Sequence, residues 1–222
     1  MNSEITRFLS AVSCPSKQIV LSVLGNETEC TISEIRDSVL LETEGLVTYP
    51  HQTYRYSIMH SLLPQQIVLQ RDFSKNRKRP SYFSLEKPVF GDLAKRVLSF
   101  VDETNKPLSY FIGHGNNHRN KHSFASAHTL YLADKGELNG MYFDDFPNTP
   151  FLTLWSVYEL FDKGLLSVKD RTYTLREDAS YFVSEIYTPI IRCIKHNSNP
   201  FKRKNSQNLS LGELFLKTSL IK

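Results

Sequence analysis

Apolar positions recur along the first half of the chain at helical and then at strand period. Ile19, Val20, Val23 and Leu24 make the buried stripe of a short helix over 16–24, stopped by Gly25-Asn26. Thr31 and Glu34 stand in the capping-box relation, in which each side chain satisfies a backbone N–H orphaned by the first turn. A second helix therefore runs from there to about 39, burying Ile32, Ile35 and Val39. After a loop over 42–45, Thr48 with Pro50 two residues on opens a third helix, roughly 49–62, which Pro64 ends. The period then falls to two. Residues 66–73 and 80–85 read as strands, with Ile67, Leu69 and Phe73 on one face of the first and Phe83 and Leu85 on one face of the second. An amphipathic helix over 90–101 follows, burying Phe90, Leu93, Val97, Leu98 and Val101.

Beyond 102 the pattern breaks into Gly and Asn, which favour turns, so 103–122 reads as a linker or loop. Periodicity returns in a helix over 123–132, a turn at Asn139-Gly140 and an extended segment over 141–146. A helix over 151–162 carries Leu154, Trp155, Tyr158, Leu160 and Phe161 on its apolar side. A tight hairpin of 165–168 and 172–175 and a long helix over 178–194, bent at Pro189, come next. A basic linker then leads to an amphipathic helix over 209–220.

Composition narrows the class. The chain has 222 residues, 40% hydrophobic and 23% charged, which is globular, with no run as long as a membrane span and no leader-like start. Cys14, Cys30 and Cys193 are few, odd in number and far apart, so they read as reduced thiols of a cytoplasmic protein. The net charge of +4 is modest, but residues 71–79 alone carry an excess equal to it. Its centre is Lys75-Asn76-Arg77-Lys78-Arg79, at the tip of the expected hairpin, where focused cations suit a nucleic-acid backbone.

Three helices, a strand, a basic tip, a returning strand and a helix resemble the winged helix-turn-helix domains of prokaryotic transcription regulators, over roughly residues 12–102. Thr31-Ile-Ser-Glu-Ile35 looks like the start of the positioning helix and Arg79-Pro-Ser-Tyr-Phe-Ser-Leu85 like the returning wing strand. Helix, Gly, strand, turn, strand and helix in the second half resemble the latter part of another such domain. The expected fold is α+β and mainly helical, with two winged-helix-like domains in tandem. The domains are then 1–102, a linker over 103–122, a second domain over 123–198, and a basic linker with a terminal helix over 199–222. The resemblance implies a regulator that acts by occupying double-stranded DNA as a homodimer or through both domains, away from membranes, with no cofactor and no chemistry.

The residues assign the contacts. Lys75, Asn76, Arg77, Lys78 and Arg79, with Arg119 and Lys121 of the linker, would hold phosphates. Thr48, His51, Gln52, Tyr54 and Arg55 would face the major groove, where Gln pairs bidentately with adenine and Arg with guanine. Three alternatives stand beside this reading. One is a plasmid- or phage-type replication initiator with tandem winged helices. Another is a metal-dependent nuclease using His114, His118, His122 and His128, the first three at a spacing of four that would suit a metal only on a helix. The last is a winged-helix module that binds protein. Cys193 with His196 has ligand-like spacing but reads as a core face.

Overall fold

The computed structural model describes residues 3–71, 80–113, 124–142, 145–146 and 154–196. It is α+β and mostly helical, with two small antiparallel sheets. The described residues divide into two compact units: Ser10–Asn105 lies in one, while residues 3–9 join those of 106–196 in the other. Residues 3–9, assigned by sequence to the first domain, thus belong with the second. Among the described residues, no single helix is long and apolar enough to cross a membrane.

Helix α1 (Ser3–Val12) is shared between the units, with Ile5, Phe8 and Leu9 buried in its leading part. In the first unit α2 (Pro15–Asn26) starts on a proline, whose missing N–H is no loss in a first turn. Gly25 does not stop this helix. It lies against Gly91 of α5 (Val89–Thr104), so close that a Cβ on Gly25 would sit 2.7 Å from the Gly91 Cα. The glycine therefore serves a close crossing of two helices rather than a terminus.

Helix α3 (Ile32–Glu42) has the expected capping box. The Thr31 N–H donates to Glu34 Oε2 at 2.7 Å, and the Glu34 N–H donates to Thr31 Oγ1 at 3.2 Å. Ile35 and Val39 are buried, while Ile32 is only half-buried. The helix runs almost a turn further than the pattern indicated, to buried Thr43, whose hydroxyl donates to the Val39 carbonyl at 2.6 Å.

Helix α4 (His51–Ser57) continues into a wider π turn over Ile58–Leu62. Its N-cap is Pro50, with no side-chain cap, so Thr48 is an exposed residue ahead of the helix and not its opener. The π turn ends two residues before Pro64, and the Leu63 N–H reaches back to the Ile58 carbonyl at 2.9 Å. A second π turn, Val183–Tyr187, likewise ends two residues before Pro189, between α9 (Glu177–Phe182) and α10 (Thr188–His196). In each case the wider turn precedes a residue whose ring crowds the ordinary helical carbonyl four back.

The first sheet pairs β1 (Val68–Arg71) with β2 (Tyr82–Leu85), in the register Val68 to Leu85 through Arg71 to Tyr82. Cys30, just ahead of α3, adds a bridge to Phe83, with N···O distances of 2.9 and 2.8 Å. Ile67, Val68 and Phe83 are buried, but Leu69 is 48% exposed, opposite to the expected face. Gln66 explains the reversal: its φ of +56° kinks the chain before the strand, so the buried alternation restarts at Val68.

In the second unit, α6 (Leu108–Ile112) occupies part of the expected linker, burying Leu108, Phe111 and Ile112, with Phe111 stacked on Phe182 at 5.1 Å. Helix α7 (Ala125–Asp134) packs on α8 (Leu154–Asp162), where Thr129 and Ser156 share a buried hydrogen bond of 2.9 Å. Strands β3 (Leu166–Lys169) and β4 (Thr172–Leu175) form the expected hairpin. Its turn residues Asp170 and Arg171 both have positive φ, 49° and 60°, as the right-handed twist of a two-residue hairpin demands. Met141 and Tyr142, expected within a short strand or extended segment, lie in no strand. Cys193 is buried in the core.

Candidate nucleic-acid interface

Helix α4 is held by its inner face. Tyr54 and Ser57, with Ile58 and Leu62 of the π turn, are buried, and Ser57 Oγ lies 3.2 Å from Ser16 Oγ of α2. Tyr54 was expected in the groove, but a fully buried side chain cannot reach a base edge. Its ring meets Tyr49 edge-on at 6.2 Å, and burial pushes the hydroxyls of both tyrosines above their ordinary pKa.

Turning Tyr54 inward leaves His51, Gln52 and Arg55 exposed, as expected, together with Tyr56 and His60. His51 and Arg55, and Gln52, Tyr56 and His60, recur at a spacing of four and make one broad outer face of the helix and its π turn. The Tyr56 and His60 rings approach to 4.9 Å. Both were missed as site residues, although Gln52, Tyr56 and His60 share the spacing of four that marks a common helical face. From Gly45 through Arg71 the sequence contains no carboxylate. The face therefore offers donors, acceptors and positive charge in a stretch free of acids.

The cationic tip behaves differently. The hairpin pairs as far as Arg71 and Tyr82, and exposed Arg71 forms an ion pair of 2.7 Å with half-buried Glu29. Lys75, Asn76, Arg77, Lys78 and Arg79 belong by sequence to the connection between the two strands and lie outside the described residues. Arg119 and Lys121 lie outside them as well. In the second unit, the hairpin turn places exposed Lys169 and Arg171 beside Asp170, and the Arg171 guanidinium covers the Tyr142 ring at 3.9 Å.

Of the four histidines that suggested a metal, His114, His118 and His122 lie outside the described residues. His128 sits on α7, with Nδ1 3.3 Å from the Tyr187 hydroxyl and its ring stacked near Tyr131 at 6.2 Å. Burial pushes the Tyr187 hydroxyl well above the usual tyrosine range. Asp145 accepts a hydrogen bond of 3.0 Å from the Tyr142 N–H. Among the described residues, no three His, Cys, Asp or Glu side chains come together as metal ligands. Comparison of the chain with protein-family models, with curated proteins and with solved structures gives no match.

Proposed function

We propose that this chain binds double-stranded DNA through its first unit, a winged helix-turn-helix, and regulates transcription by occupancy. The outer face of α4 carries the reading: His51, Gln52, Arg55, Tyr56 and His60 are all exposed, in a stretch without a carboxylate. Gln52 and Arg55 have the geometry classes that pair bidentately with adenine and guanine, each pair discriminating by about 1–3 kcal/mol. The order α2, α3, α4, hairpin, α5 supports the winged-helix assignment. The Cys30–Phe83 bridge also supports it, because it fastens the start of α3 to the hairpin. The tip cations Lys75, Arg77, Lys78 and Arg79 would hold phosphates on either side of whatever sequence α4 reads.

Selection of bound fragments from random duplex DNA, at low and moderate salt, tests this. The variant Arg77→Gln/Lys78→Gln/Arg79→Gln is expected to weaken binding to every sequence alike, and to flatten the salt slope by about 2.7 for three lost phosphate contacts. The variant Gln52→Ala/Arg55→Ala is expected to keep that slope and lose the sequence preference. No salt-sensitive retention of duplex DNA by the unaltered chain would overturn the proposal.

A further inference from the structure

Helices α4 and α8 hold the same place in their units, each running into a two-stranded hairpin. Their outer faces differ in kind. Where α4 exposes hydrogen-bonding side chains, α8 exposes Trp155, Tyr158 and Asp162, at i, i+3 and i+7 of one stripe. Trp155 is 74% exposed and Tyr158 46% exposed, although both read from sequence as the apolar side of the helix. The face that is in fact buried comprises Ser156, Val157 and Leu160. A helix with large apolar groups on both sides normally has both covered. A nucleic-acid backbone is a poor cover here, because the stripe ends in the Asp162 carboxylate and no Lys or Arg occurs within α8.

We propose that the Trp155–Tyr158 face of α8 is a self-association surface, covered by a second copy of this chain across a two-fold axis. Such a contact requires a patch that complements itself. Both signs of charge are at hand: exposed Asp162 ends the aromatic stripe, and the hairpin that follows carries exposed Lys169, Arg171 and Arg176. By contrast, the stretch from Gly45 to Arg79 has Asp72 as its only acid and would repel its own copy. Trp and Tyr are the side chains that most often anchor interfaces. Two such anchors contribute about 300 Å² per copy, under half of the ~800 Å² of a standard interface, so the dimer is expected to be micromolar. The inference does not depend on DNA binding.

The test uses the full chain without nucleic acid, from about 1 to about 200 μM, a range that brackets a micromolar Kd. Trp155 is the only tryptophan, so its emission reports on this face alone. Mass by light scattering is expected to rise from one chain to two, while the emission shifts to the blue over the same concentrations. Trp155→Glu/Tyr158→Glu is expected to remain at the mass of one chain with an unchanged far-ultraviolet dichroism spectrum. Should that variant fail to fold, the concentration series of the unaltered chain still decides. A constant single-chain mass overturns the proposal, as does a dimer whose emission never shifts. A dimer that ignores DNA leaves this surface standing and removes the DNA reading alone.

Discussion

Cys30 stands where three parts of the first unit meet. Its backbone N–H and carbonyl both bond to Phe83, and the next residue opens α3. The side chain is 4% exposed, and burial above all, then the Glu27 and Glu34 carboxylates, pushes the thiol up to about 11 from 9.0. The unfolded thiol loses its proton at lower pH than the folded one. Between pH 9 and 11 the native state therefore holds the extra proton, and stability falls as pH rises through that window. Below pH 9 the contribution is fully present and flat. Urea titrations at pH 7, 9 and 10 are expected to show a decline above pH 9 that Cys30→Ala lacks; parallel curves for the two proteins would contradict it. Tyr49 and Tyr54, also raised from 10.0 by burial, extend the decline to higher pH in both proteins.

At the scale of elements, the crossing of α2 and α5 depends on two glycines meeting backbone to backbone. A methyl group on Gly91 has no flexible side chain to displace, only the Gly25 backbone and the Leu21 carbonyl. Gly91→Ala is expected to cost about 1–3 kcal/mol by forcing the helices apart, read as a lower urea midpoint with the slope unchanged. The sequence could not announce this role, because a glycine near a helix end looks the same whether it stops the helix or lets a neighbour in. Local signals were legible: the Thr31–Glu34 box, the Asp170-Arg171 hairpin and the helix ahead of it all lie where the pattern put them. Signals that depend on a distant partner were not. Leu69 turned outward because of the backbone at Gln66, Tyr54 turned inward to meet Tyr49, and Trp155 stayed exposed despite being apolar. Within the candidate site, His51, Gln52 and Arg55 were readable from the chain, while Tyr56 and His60 needed the inward turn of Tyr54 to fix which side faces out.

For the molecule as a whole, the boundary between units falls at Asn105 and Lys106, close to the expected end of the first domain. Sequence gave no warning that the residues through Leu9 belong beyond it, since periodicity says which side of a helix is apolar and not what that side packs against. Phe8 is fully buried among them. Phe8→Ala is expected to cost about 3–5 kcal/mol, and to do so unevenly. Hydrogen exchange should show amides of the second unit losing protection, with those of α3 and the first hairpin little changed; equal loss in both units would count against the division. The same division bears on how the chain is made. Ile5, Phe8 and Leu9 are made before Ser10–Asn105, but the rest of their own unit follows only with the residues after Asn105. At roughly 5–20 residues per second that delay is on the order of ten seconds. For that interval these three apolar side chains wait uncovered on a later-made part of their unit, which makes them the natural place for a chaperone to hold.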